Sequence, residues 1–339
     1  MFLEKLWYFA LPGPWLKRGQ MLAKTMLGQP VLLARDADGK PFALRDICPH
    51  RGIPLSRGRF DGREVECCYH GWRFGGDGRC TAIPSLTEGQ KFNLDRVRVR
   101  RYPCREVQGN IWVYFGDEDD APGDPPAVPE IGDRQPALIE TIHFPSPLDH
   151  AVVGLMDPAH GPFVHQSWWW RSRRSIHEKS KAFAPSPRGF TMVRHPPSSN
   201  SLAYKLLGGA VTTEISFQLP GIRIEHIRAG RHAVVGLTAV TPINEAETQV
   251  TQVFYWTQPW LTPLKPVARH FMRAFLKQDR DVVVMQQEGL AHDPRLMLIN
   301  DADTQAKWYY RLKEEWTRAQ AEGRAFKNPI SAQVLRWRS

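Results

Sequence analysis

Residues 48–72, "CPHRGIPLSRGRFDGREVECCYHGW", hold three of the chain's five cysteines and two of its twelve histidines. The pattern runs Cys48-x-His50, then sixteen residues, then Cys67-x2-His70. Two thiolates and two imidazoles offered from paired loops can hold zinc or a two-iron cluster. Zinc modules usually draw cysteines and histidines from separate segments. Here each loop supplies one of each, which suits a [2Fe–2S] cluster with both thiolates on one iron and both imidazoles on the other. Gly52 and Gly71, just after the histidines, let each loop close tightly. The adjacent Cys67 and Cys68 compete for the second thiolate position. Whether this site performs chemistry or serves another is a second open question.

The rest of the chain bounds the answer. Its 339 residues, 42% apolar and 24% charged, fit a globular protein of about two domains. Apolar runs such as "AVVGLM" fall far short of the ~20 residues a membrane span needs. The N-terminus places Glu4 and Lys5 before any apolar stretch and carries no small-residue cleavage site, so it reads as mature protein. The cytoplasm is the expected compartment. Five cysteines then argue for thiols or metal ligands rather than disulfides. The net charge of +10 is spread along the chain, densest in a basic tail ending at Arg336 and Arg338. No nucleic-acid motif accompanies it, and a surface that docks an acidic protein partner is the better use of the charge.

The fold class expected is α+β. Residues 1–116 read as short strands between turns, including a hairpin in "QPVLLARDADGKPFALRD" joined through Asp-Gly. Residues 117–136, beginning with the Pro- and Gly-rich "DEDDAPGDPPAVPE", read as a linker. Residues 137–339 form the second domain. Strand-like segments recur in it at "GFTMVRH", "TTEISFQL", "RIEHIRAG", "HAVVGLTAV" and "TQVTQVFYW", the pattern of an antiparallel sheet. "PLKPVARHFMRAFLKQDRDVVVMQQEGL" reads as a long helix with apolar positions at Val267, Phe271, Phe275, Val282 and Met285. A last helix over about 301–322 precedes the basic tail. Lys179 and Lys181, alternating with Phe183, read as a solvated strand face.

The first motif, with its "YHGWRF" tail, closely resembles the Rieske family, in which the second half-motif usually reads C-P-Y-H-G-W. That resemblance makes Cys48, His50, Cys67 and His70 the cluster ligands, with Cys68 in the proline position. Respiratory-type members carry an extra disulfide-forming cysteine in each loop; Ile53 and Tyr69 stand there, and Trp72 replaces a serine. The resemblance implies a low-potential cluster, because fewer hydrogen bonds reach its sulfurs.

Downstream, "MDPAHGPFVH" supplies Asp157, His160 and His165. Histidines five apart lie about 140° apart on an unbroken helix, so they meet at one metal only if the helix is interrupted, and Gly161 and Pro162 can supply the break. Alone, this is weak. Together the motifs resemble the oxygenase component of Rieske non-heme iron oxygenases, in the single-subunit monooxygenase and demethylase branch typified by vanillate and dicamba O-demethylases and pheophorbide a oxygenase. The resemblance implies a Rieske domain followed by a helix-grip catalytic domain. It assigns His160, His165 and a carboxylate of the long helix to a mononuclear Fe(II) that binds O2. In that family the carboxylate often follows Gln or Glu before an apolar stretch, and "KQDRDVVVMQQ" matches at Asp279. Asp281 points about 200° away on a helix, so only one of the two can ligate, and the resemblance favours Asp279. Asp157 is expected to bridge His160 and a neighbouring subunit's His70 in a homotrimer; a helix-start aspartate capping backbone N–H groups is the simpler alternative. Gly154 stands where small methoxy-aromatic demethylases often carry asparagine.

The function implied is oxygen insertion into, or oxidative demethylation of, an apolar, aromatic or polycyclic substrate, with electrons from a ferredoxin or an NAD(P)H-dependent reductase. The alternatives are an electron-transfer Rieske protein fused to a small-molecule binding domain and a zinc-stabilised binding module. The stretch "SWWWRSRR" is expected either to line a substrate channel or to pack between elements.

Overall fold

The computed structural model describes residues 2–117, 120, 123–166, 173–197, 207–208 and 210–339. The chain divides into two units, Phe2–Ala127 and Val128–Ser339. That break falls inside the 117–136 stretch read as a linker.

In the N-terminal unit, the all-buried strands Leu6–Pro12 and Asn110–Phe115 pair antiparallel, their apolar runs giving no polar face to turn outward. The predicted Asp-Gly hairpin is present: Gln29–Arg35 pairs with Pro41–Arg45. A further small antiparallel sheet joins Arg59–Phe60, Glu64–Glu66, Arg73–Gly75 and Cys80–Ala82. Its core holds Leu55, Val65, Cys48, Cys67 and Phe74.

The C-terminal unit is built on one eight-stranded antiparallel sheet. Its spatial order is Leu138–Phe144, Glu247–Trp256, His232–Asn244, Ile222–Ala229, Val211–Gln218, Gly189–His195, Glu178–Ser186 and Gln333–Arg338. Each of the five segments expected from period-two alternation is a strand of this sheet. Among the described residues the unit's α-helices are α1 (Leu148–Met156), α2 (Gly161–Val164), α3 (Lys265–Leu290) and α4 (Thr304–Ala321). Helix α4 buries Trp308, Tyr309, Leu312 and Trp316, and Trp308 meets Phe183 and Phe190 at ring distances of 5.5 and 5.0 Å. Asp149 of α1 accepts from Tyr309 at 2.7 Å and from Lys313 at 2.5 Å, tying α1 to α4. Glu140, nearly buried on the edge strand, receives Arg269 at 3.0 Å and Arg273 at 2.8 Å from α3.

Two expectations change, and the buried face of the long helix becomes visible. The basic tail is the last strand of the sheet: alternation in "QVLRWR" buries Leu335 and Trp337 while Arg336 reaches Glu178. The buried side of α3 is Met272, Leu276 and Val283. Val267, Phe271, Val282 and Met285, four of the apolar positions that recur along the helix, are 39–59% exposed in this chain. Lys179 is not on a solvated face either. It shares the side of Phe183, which is buried, so the lysine follows it inward and is only 6% exposed. The "SWWWRSRR" tryptophans, Trp168–Trp170, lie outside the described residues.

Candidate iron centres

The two loops of the N-terminal unit are built alike. In one, Gly52 N–H donates to Cys48 O at 2.9 Å and Cys48 N–H to Ile53 O at 2.8 Å. In the other, Gly71 N–H donates to Cys67 O at 3.0 Å and Cys67 N–H to Trp72 O at 2.8 Å. Both turns need a left-handed residue at the glycine, with φ of 73° at Gly52 and 68° at Gly71. The repeated turn carries Cys48 and Cys67 into the core, 1% and 2% exposed, and brings the His50 and His70 rings to 4.5 Å. Cys68 faces outward, and all five cysteines are free thiols.

The electrostatics suit a bound cation. Burial and, after it, the neighbouring Cys67 sulfur push the Cys48 thiol up to about 11, against the pull of the His50 amide. Such a pair becomes thiolate when a metal replaces its protons. Burial, then the neighbouring His70, holds His50 below the ordinary histidine range, the neutral form a metal requires. His50 stacks on Trp72 at 4.5 Å with a 5° interplanar angle, and His50 Nδ1 is buried without a hydrogen-bond partner. A buried imidazole nitrogen left orphaned fits a missing metal bond. These four residues do not converge on one point as a single ion demands. Among the described residues, His160, His165 and Asp279 are the one set of three or more potential ligands that does. The wider spacing suits a two-iron cluster better than zinc.

In the C-terminal unit, α1 stops at Met156 because Asp157 turns extended, with its Oδ1 accepting from Ala159 N–H at 2.7 Å. Helix α2 then occupies Gly161–Val164, with His160 and His165 as its two caps. The sequence placed the interruption at Gly161 and Pro162. Instead these begin α2, where proline's fixed φ is favoured, and the redirection comes at His165, which leaves helical geometry at ψ 42°. His160 Nε2 and His165 Nε2 are thereby 3.1 Å apart. Across from them α3 presents Asp279, whose Oδ1 lies 3.0 Å from His165 Nε2 and 3.6 Å from His160 Nε2. Ligand atoms about 2.1 Å from an ion and at right angles to each other stand about 3.0 Å apart; the two separations that involve His165 match this, and the His160–Asp279 one is wider. Asp281 turns away to Lys277 at 2.5 Å. Behind the three ligand atoms, Asp157 Oδ2 is 3.6 Å from His160 Nδ1 and Gln278 Oε1 is 3.0 Å from His165 Nδ1. Phe275 stacks on His165 at 3.5 Å. Burial works against the charged form of His160, but Asp157 and Asp279 outweigh it and raise its pKa, the mark of a site whose field favours a positive charge.

The three ligand atoms border a cavity of about 580 Å³. Its wall is largely apolar, with Ile215, Ile227, Phe254, Phe271, Met272 and Phe275 among its lining. The polar exceptions include Lys179, Lys181, Arg223 and Glu225. Lys179 Nζ donates to Ser339 Oγ at 2.8 Å, and burial lowers the Lys181 pKa. Gln278, Phe275 and the lysines were not found from the sequence. For Gln278 the available signal was its place beside Asp279 in "KQDRD".

Two family models match the chain. Residues 6–103 match the Rieske [2Fe-2S] domain, and residues 154–319 match the vanillate O-demethylase oxygenase C-terminal domain. The fold and the pair of matched domains are thus those of a Rieske non-heme iron oxygenase. Within that class, residues 154–319 are similar to the vanillate O-demethylase type of C-terminal domain.

Among its relatives, dicamba O-demethylase oxygenase component of Stenotrophomonas maltophilia is 35% identical over 49% of this chain and 48% of that protein. Chlorophyllide a oxygenase of Arabidopsis thaliana is 33% identical over 49% of this chain and 30% of that protein. The 4beta-methylsterol monooxygenase of Methylococcus capsulatus is 40% identical over 38% and 36%. The chain spans less than half the length of these curated relatives. The crystal structure of dicamba monooxygenase bound to dicamba superimposes with a TM-score of 0.76 and 25% identity, over 95% of this chain and 99% of that one.

Proposed function

We propose that this chain is the terminal oxygenase of a Rieske oxygenase system, hydroxylating or oxidatively demethylating an apolar, aromatic or polycyclic substrate. The observation that carries the reading is the convergence of His160, His165 and Asp279 on one face, open to a mostly apolar cavity. We assign these three to Fe(II), and Cys48, His50, Cys67 and His70 to the [2Fe–2S] cluster. When bound, the iron activates O2 while the cluster supplies electrons, so that one oxygen atom enters the substrate and the other leaves as water.

The chain's own residues do the placing. His160 and His165 direct Nε2 toward Asp279, which leaves the cavity side free for substrate and O2. The apolar wall desolvates the substrate's body. Lys179, Lys181, Arg223 and Glu225 offer a polar group of the substrate somewhere to sit. Asp157 holds the His160 ring and, in a homotrimer, accepts a hydrogen bond from a neighbouring subunit's His70, which couples the two centres. The exposed stripe on α3 and the run Leu296–Ile299, 39–83% exposed, give such a trimer an apolar surface to cover. The basic surface suits an acidic ferredoxin or a reductase as electron donor. Cysteines joined by no disulfide fit the cytoplasm, and no helix among the described residues is long and apolar enough to cross a membrane.

Asp157→Asn tests the coupling. Turnover is measured on the substrate drawn from a panel of methoxy-aromatics, polycyclic aromatics and sterols. The variant keeps both metal centres loaded, yet its coupled turnover falls by about 100-fold. Turnover at the wild-type rate would show that Asp157 serves only as the turn former for Ala159.

A further inference from the structure

We infer that Gln278 is a positioning residue for the mononuclear centre, fixing the tautomer and ring orientation of His165 from behind. This rests on the reading of His165 as an iron ligand and extends it to a residue with no ligand role of its own.

The argument begins with the two ring nitrogens of His165. Nε2 faces Asp279 Oδ1 at 3.0 Å, and Nδ1 faces Gln278 Oε1 at 3.0 Å. A neutral imidazole carries one N–H, so only one of those nitrogens can offer a lone pair to a metal. If the amide turned its NH2 toward Nδ1, the ring proton would move to Nε2 and point into the centre of the triad. With Oε1 toward Nδ1, the proton is held at Nδ1 and the Nε2 lone pair points where His160 Nε2 and Asp279 Oδ1 converge. His165 is 3% exposed and has Phe275 stacked at 3.5 Å on its face, so water has little access to replace the amide. The brace and the carboxylate are neighbours on α3, so one helix sets both the third ligand and the orientation of the second.

The two histidines are backed differently. His160 has a carboxylate behind it, Asp157, at the longer distance of 3.6 Å. His165 has a neutral amide within hydrogen-bond distance. A neutral acceptor orients the ring without adding a second negative charge beside Asp279.

The test uses the full chain with its cluster intact and the mononuclear site emptied by mild chelation. Fe(II) is titrated back, and the loaded site is read by the electron paramagnetic resonance of its nitric oxide adduct. Gln278→Leu, similar in size but without an acceptor, weakens Fe(II) binding by about 10–100-fold and changes the adduct's rhombicity, with the Rieske spectrum unchanged. Gln278→Glu restores the acceptor and binds Fe(II) at least as tightly as wild type. It carries the test by itself if the leucine variant does not fold, since loss of binding in the glutamate variant would contradict an acceptor role. Wild-type affinity and wild-type rhombicity in Gln278→Leu would overturn the inference alone. A wild-type chain that takes up no Fe(II) at His160, His165 and Asp279 would overturn the underlying reading, and the inference with it.

Discussion

Asp279 and Asp281 stand two residues apart on α3 and face opposite tasks. Asp279 Oδ1 reaches both histidines, whereas Asp281 is engaged by Lys277 at 2.5 Å and Arg280 at 3.6 Å. Asp279→Ala should therefore empty the mononuclear site and leave the cluster's visible spectrum intact. Asp281→Ala should retain the iron and shift stability by no more than about 0.5 kcal/mol, as expected of an exposed i,i+4 pair. Iron retention in the first variant and loss in the second would reverse the assignment. The helical rotation of about 100° per residue says from sequence alone that only one of these aspartates can reach the site, and the resemblance picks Asp279. The same rule does not find Gln278, because its role depends on where His165 lies across the gap. Nor does alternation say which face of a strand is inner. Lys179 and Lys181 share the side of Phe183, but only the packing of Phe183 against Trp308 turns that side toward the cavity.

Among the elements, the paired cluster loops were the most legible, because a turn closed by Gly52 or Gly71 leaves its spacing and its glycine in the sequence. Gly71 also meets Pro84: a Cβ there would sit 3.2 Å from Pro84 Cγ, in addition to the strain of φ 68°. At Gly52 only the backbone angle, 73°, is at stake. Gly71→Ala should cost about 1–2 kcal/mol from the backbone alone, and more from the clash. It should lower both Tm and cluster content, with Gly52→Ala milder on both measures. Equal effects, or none, would remove the role given to Pro84. Two other elements were hidden for physical reasons. The final strand alternates Leu335 and Trp337 with arginines, so its charge masks its period. Helix α2 is only four residues long, too short for any periodicity, and its proline marks a helix start as readily as a break.

At the scale of the whole molecule, the proposed function makes the N-terminal unit the electron supply and the C-terminal unit the place for chemistry. The stretch with the strongest sequence signal, residues 48–72, is thus not where substrate is expected to react. The weaker "DPAHGPFVH" carries that role, and it gains meaning from a carboxylate more than a hundred positions later. Exposed apolar side chains on α3 and at Leu296–Ile299 belong to this scale as well, 39–83% exposed among the described residues. The central claim is that one chain carries both a two-iron cluster and a separate mononuclear iron. Iron and zinc content per chain, measured after anaerobic Fe(II) reconstitution and alongside the Rieske spectrum, tests it most directly. The account predicts about three irons per chain and no stoichiometric zinc. A value that stays near two irons, or zinc in place of iron without the red-brown absorption of the cluster, would contradict it.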